Sequence, residues 1–143
     1  DMENVRFKAK NLDGVWIEGS FIPQYHSSKK CRQIDAIFWS DKFKTYREEI
    51  YTNTLTRFVP MLDKNIEGLW IDSDIFEFDF NDPIDKTTVT LRGIMTFDDL
   101  ELRYQVDVYS KRHPQYACLS YNPELMHRFK VIGNKIDNPK LLK

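Results

Sequence analysis

Between Leu100 and Val108 the chain alternates without a break. Leu100, Leu102, Tyr104, Val106 and Val108 are apolar, and Glu101, Arg103, Gln105 and Asp107 stand between them. Successive side chains of an extended strand point to opposite faces, so this run buries one clean face as a β-strand; a helix would scatter it. The same period recurs elsewhere. Val5, Phe7 and Ala9 alternate with Arg6, Lys8 and Lys10, and Phe76, Phe78 and Phe80 alternate with Glu77 and Asp79. Turn signals separate these runs. Asn11-Leu12-Asp13-Gly14 predicts a hairpin because Gly tolerates positive φ, with a return strand over Val15 to Ile22 stopped by Pro23. Asn81-Asp82-Pro83 ends the phenylalanine strand. A strand over Thr87 to Phe97 follows, with Gly93 as a bulge or bend. A tight turn at Asp98-Asp99 joins it to the Leu100–Tyr109 strand as a second hairpin.

The remaining segments are read more coarsely. Gln24 to Arg32 is a polar loop, and Ile34 to Trp39 a short buried strand. In Ser40 to Ile50, the spacing of Phe43, Tyr46 and Ile50 permits a short helix, whereas Thr52, Thr54 and Thr56 favour extended backbone. Met61 to Gly68 is a turn-rich connector. Asn122-Pro123 places a cap before a proline at the first helical position, giving a helical turn over Glu124 to His127. A last strand runs from Arg128 to Ile136, bent at Gly133-Asn134. Asn138-Pro139 repeats the capping device, so that Leu141 and Leu142 dock a final turn. The sum is roughly six or seven strands in an antiparallel meander of hairpins with short helical turns. A partly closed barrel or a small sandwich would hide the aromatic faces. If Leu100–Tyr109 is an edge strand, it offers a route to a homo-oligomer.

Composition narrows the class. A length of 143 residues with 14% aromatic side chains supports a packed core in one domain over residues 2–143. With 21 basic and 22 acidic residues, the chain exerts no global electrostatic pull on nucleic acid or an anionic membrane. No charged-then-apolar leader is present and no apolar run approaches about 20 residues, so a cytoplasmic protein without a membrane partner is expected. Asp1 before Met2 predicts that the natural start is Met2. Cys31 and Cys118 are the only cysteines and make no disulfide framework, which predicts two reduced thiols.

Three segments, in order, resemble the YopX family of phage and prophage proteins. Arg6-Phe7-Lys8-Ala9-Lys10 with Gly14-Val15-Trp16-Ile17-Glu18-Gly19 resembles that family's opening hairpin. Leu62-Asp63-Lys64-Asn65 followed by Asp72-Ser73-Asp74-Ile75-Phe76 is similar to its central motif. Phe129-Lys130-Val131-Ile132-Gly133-Asn134 with Asp137-Asn138-Pro139-Lys140-Leu141-Leu142 resembles its closing motif almost position for position. Ser73 and Ile66 stand where the family has Gly, so the turn there is expected to differ in backbone geometry. Residues 23–50 match none of the family's motifs and are expected to be a variable insert. The resemblance implies a mostly β fold around an SH3-like barrel, carried by phages, prophages and mobile elements. The shared motifs are architectural, so no catalytic residue is carried over.

Candidate sites follow from local chemistry. The acidic cluster of Asp72, Asp74, Glu77 and Asp79, with Asp82 and Asp85 beyond, could hold a hard cation through oxygen ligands, with Asp72 and Asp74 as its candidate ligands; equally, these residues form a solvated strand face with turn carboxylates. Lys29, Lys30 and Arg32 near Tyr25 and His26 could track a phosphate backbone and stack bases, as could the second basic run at Lys111 and Arg112; equally, these are ordinary flexible loops. Trp16 lies opposite Val15 and Ile17 on its strand. If those residues face the core, Trp16 faces out and, with Tyr25, could anchor a partner. Cys118 and His113, like Cys31 and His26, are five apart, an odd spacing that puts each pair on opposite strand faces. No Gly-rich phosphate loop or cofactor motif is present. The sequence therefore predicts a non-enzymatic accessory protein that binds a host or phage macromolecule, with a protein partner ahead of nucleic acid. A small enzyme or ligand sensor with a cation at Asp72 and Asp74 is the third reading.

Overall fold

The computed structural model describes residues 6–60, 67–122 and 126–143, with the side chains of residues 126–128 left out. The described residues form eleven strands and three short 3-10 turns. The chain divides into two compact units, Asp1–Phe58 and Val59–Lys143. No helix is long and apolar enough to cross a membrane among the described residues.

In the first unit, β1 (Phe7–Lys10) and β2 (Trp16–Ser27) form the opening hairpin in the register Ala9 to Ile17. The carboxamide of Asn11 shapes the turn: its Oδ1 accepts from the N–H groups of Asp13 (3.0 Å) and Val15 (2.9 Å), while Gly14 takes φ 78°. β3 (Arg32–Ser40), β4 (Thr45–Glu49) and β5 (Thr56–Pro60) follow, and the strands lie in the order β4-β3-β2-β1-β5. The core face carries Ala9, Ile17, Ile37 and Ile50, with Phe21, Trp39 and Leu55 packed against them.

Four expectations are corrected in this unit. Pro23 does not stop β2, because it sits where the register with β3 shifts between Ile22 and Tyr25; a bulge tolerates a residue that lacks an N–H. The stretch over Gln24–Arg32 is therefore mostly strand, turning only at residues 28–31, where Cys31 takes φ 53°. Ser40–Ile50 holds strand β4 and no helix. Tyr46 and Ile50, four apart, satisfy a period of 2 as well as one of 3.6, and pairing with β3 selects the strand. Thr52–Thr54 is a 3-10 turn, and the extended segment begins at Thr56.

In the second unit, β6 (Gly68–Trp70) precedes β7 (Asp74–Asn81), β8 (Thr88–Asp98), β9 (Arg103–Val108), β10 (Cys118–Ser120) and β11 (Met126–Asn134). The last five form a sheet in the order β10-β9-β8-β7-β11. Phe76, Phe78 and Phe80 face one way and are buried, as their alternation requires. The ring of Phe129 meets that of Phe76 at 4.4 Å and that of Phe78 at 5.4 Å. Leu91, Met95 and Val106 complete this core.

The mostly antiparallel β architecture is as expected, but among the described residues no barrel closes, and beyond β4 the first unit's sheet returns to the end of β1 through the isolated Asn11–Ile50 bridge. Closure needs hydrogen bonding between edge strands. In the second unit β10 spans three residues and β11 is broken by two register shifts. The Leu100–Tyr109 strand is shorter than its alternation suggests. Leu100 and Leu102 sit in the β8–β9 turn at 95% and 75% exposure, where Leu102 has φ 54°. β9 is also no edge, since β10 pairs along it from Cys118–Asp107 to Ser120–Gln105. Gly93 is no bulge; its register with Phe76 and Val108 is regular, and a Cβ there would lie 2.7 Å from Val106 Cγ1. The positive φ of the Asp72–Asp74 turn falls on Asp72 (57°), one residue before the Ser73 that replaces the family's Gly.

Other expectations touch residues outside the description. Val5, Leu62 to Ile66 and the Pro123–Leu125 part of the capped helical turn lie there, whereas Met126 and His127 belong to β11. The closing Pro139–Leu142 forms a 3-10 turn, but the Asn138 side chain does not cap it and instead accepts from the N–H of Asn134 (3.2 Å).

Candidate functional site

The β2–β3 turn and the β4 edge border a groove of about 480 Å³ in the first unit, lined among others by Tyr25, Lys29, Lys30, Ile34, Arg47 and Glu49. Backbone pairing explains what the edge presents. Ile50 N–H donates to Asp35 C=O, and Asp41 N–H donates to Lys44 C=O. In the β3–β4 register these bonded pairs alternate with non-bonded ones. The N–H and C=O groups of Thr45, Arg47 and Glu49 therefore point away from β3. At the Glu49 end that outer side meets the end of β1, where Asn11 bridges Ile50 and Tyr51 N–H donates to Lys10 C=O, whereas no strand lies along Thr45–Arg47 among the described residues.

The side chains around this edge are mostly paired. Glu49 accepts from Lys30 Nζ (2.6 Å) and Arg32 Nη2 (2.7 Å). The Lys30 hydrogen bond, against a smaller penalty from burial and with help from Arg32, holds the Glu49 carboxyl below the usual glutamate range. Glu48 accepts from Trp39 Nε1 (2.5 Å) and Asn11 Nδ2 (3.0 Å), which pins it beside the stacked rings of Trp39 and Tyr46, 4.1 Å apart. Asp41 organises the β3–β4 turn by accepting from the N–H groups of Lys44 and Phe43 and from the Tyr46 hydroxyl, so its carboxyl is lowered and the Tyr46 hydroxyl raised. This leaves Phe43 at 91% exposure. The Arg47 guanidinium lies 5.2 Å from the centre of the Phe38 ring, which Tyr25 meets edge-on at 5.1 Å. Among the described residues, neither Arg47 nor Lys29 makes an ion pair.

The sequence-predicted residues are thus brought together in part. Lys29, Lys30, Arg32 and Tyr25 share one neighbourhood, but Glu49 holds Lys30 and Arg32. Trp16 is half-buried, on the face opposite Ile17, with Lys8 and Lys10 at 4.8 and 5.5 Å from its ring. Val15 is exposed and lies ahead of the strand. Lys111 and Arg112 are exposed in the loop after β9, in the second unit. Asp74 is buried and accepts from the N–H of Trp70 (2.8 Å), which makes it a turn carboxylate. Burial raises the Asp72 carboxyl, partly offset by Lys135. No group of three or more His, Cys, Asp or Glu side chains converges as metal ligands among the described residues. Cys31 and Cys118 are free and exposed.

Arg47, Glu48, Glu49 and Tyr46 were not singled out from sequence, because the helical reading of Ser40–Ile50 hid their shared edge. Their one available signal was charge: residues 1–58 carry ten basic against eight acidic side chains, and residues 59–143 eleven against fourteen.

These features define a small antiparallel β protein that presents an open, regular sheet edge beside a polar groove. The YopX protein family model matches residues 7–143, essentially the whole chain, and the chain belongs to that family. No curated protein and no solved structure matches it.

Proposed function

We propose that the protein is a non-enzymatic accessory module of phage or prophage origin, acting in the cytoplasm by binding a host or phage protein through the first unit. The observation that carries this reading is the groove beside β4, where the outward backbone groups of Thr45 and Arg47 adjoin the cations Lys29 and Arg47. Such an edge is a common route of polypeptide recognition. Family membership supports the phage origin through the resemblance set out above.

Nucleic acid is the second reading, favoured by the clustering of Lys29, Lys30 and Arg32 beside Tyr25. Redirecting Lys30 and Arg32 to phosphates would first break their bonds to Glu49. Capture of partners from host lysate by the tagged protein, with and without nuclease and at two salt concentrations, separates the two. A protein partner that survives both treatments and is lost on Arg47→Glu is the expected result. Capture abolished by nuclease or by moderate salt transfers the assignment to nucleic acid.

A further inference from the structure

We infer that the occupant of the groove is an extended polypeptide segment with acidic side chains at alternate positions, added to the first unit's sheet as a strand beside β4. The inference rests on the binding role proposed above and specifies the chemistry of the partner. Three observations lead to it.

The first is regularity. β4 pairs with β3 over five residues without a register shift. In the second unit, by contrast, edge strand β11 is interrupted twice and β10 has three residues. Sheet edges are normally blunted by bulges or brevity to prevent stray pairing. Over Thr45–Arg47 β4 has neither protection, only charge, while the Asn11–Ile50 bridge covers its Glu49 end. The second is the position of that charge. A residue opposite Arg47 in an added strand would place its Cβ on the same face, roughly 5 Å away. Arg47 and Lys29 make no ion pair there among the described residues, and Glu49 is already held by Lys30 and Arg32. Carboxylates at alternate positions satisfy these cations, whereas a basic strand is repelled, so the charge that guards the edge also selects its partner. The third is the backbone itself. The outward N–H and C=O groups of Thr45 and Arg47 call for a complementary ladder, which a nucleic acid does not provide. A second copy fits poorly, since the two-fold register that pairs all of β4 with itself sets Arg47 against Arg47.

The test uses the full-length chain and amide hydrogen exchange followed by NMR. The probes are an octapeptide of sequence Glu-Val-Glu-Thr-Glu-Val-Glu-Thr, its Lys-for-Glu counterpart, the acidic peptide N-methylated at alternate amides, and a 20-nucleotide oligothymidylate. The acidic peptide at millimolar concentration should slow exchange at the Thr45 and Arg47 amides about tenfold or more. The basic and N-methylated peptides should not. Arg47→Glu, a surface change, should transfer the protection from the acidic to the basic peptide. Shifts at Tyr25 and Lys29 without protection of those two amides would overturn strand addition and leave the groove as a binding site. Protection already present in the free protein, lost on dilution, would assign the edge to a second copy and overturn the inference. Response to the oligonucleotide alone would overturn both the inference and the protein-binding role. A silent result with every probe overturns the acidic-strand inference, and the lysate capture then decides the broader role independently.

Discussion

Glu49 is the electrostatic pivot of the first unit's edge, since one carboxylate holds Lys30 and Arg32 in place. Both cations are substantially exposed, so the pairs are worth about 0.5–1 kcal/mol together rather than the several expected of buried ones. Glu49→Gln should reduce stability by that amount at neutral pH, read by urea denaturation. Its folded-state pKa is depressed, chiefly by the Lys30 hydrogen bond. The stabilisation is therefore complete above the unfolded glutamate value of about 4.3 and disappears as pH falls through the lower folded value. The gap between the two proteins should accordingly shrink as pH drops below about 4. A gap that persisted in acid would show that packing, not charge, holds the two cations. Asp72 has the opposite sign, because burial raises its carboxyl and its ionised form weighs against the fold.

At the scale of elements, the close approach of β2 and β3 depends on Gly19. A Cβ there would stand 2.1 Å from the Phe38 carbonyl oxygen and 2.9 Å from its carbon. Backbone cannot yield as a side-chain tip does, so Gly19→Ala should cost about 3 kcal/mol, at the upper end of overpacking penalties. Gly14 is the contrast: its added Cβ meets nothing within 4 Å, and only its φ of 78° opposes substitution. Urea midpoints of the two alanine variants should differ accordingly, with Gly19→Ala the lower. The alternation of Phe76, Phe78 and Phe80 revealed β7, and Asn11 to Gly14 revealed the first turn, because each signal is local. β4 was hidden because Tyr46 and Ile50 fit two periods equally well. The true end of β2 was hidden because a bulge at Pro23 is a property of pairing with β3.

At the scale of the whole molecule, stability is concentrated unevenly. Among the described residues, the first unit's core cluster holds four buried apolar residues, and that of the second holds twelve, including Phe76 at zero exposure between Phe78 and Phe129. Phe76→Ala should cost about 3–5 kcal/mol, a large part of the roughly 5–15 kcal/mol that typically holds a domain together. Calorimetry should show the transition lowered by about 10–20 °C; a drop of only a few degrees would mean that the aromatic cluster repacks. By itself the sequence determined that the chain is built of antiparallel strands, where several of its turns fall and, through its closing and opening motifs, its family. A period of 2 specifies which face of a strand a side chain takes, and turn residues specify where the chain reverses. Neither says which strand lies alongside. That is why only the tertiary structure decided that no barrel closes among the described residues, that β10 covers β9, that Glu49 pairs with both Lys30 and Arg32, and that β4 is left with the outer backbone groups of Thr45 and Arg47 facing a groove.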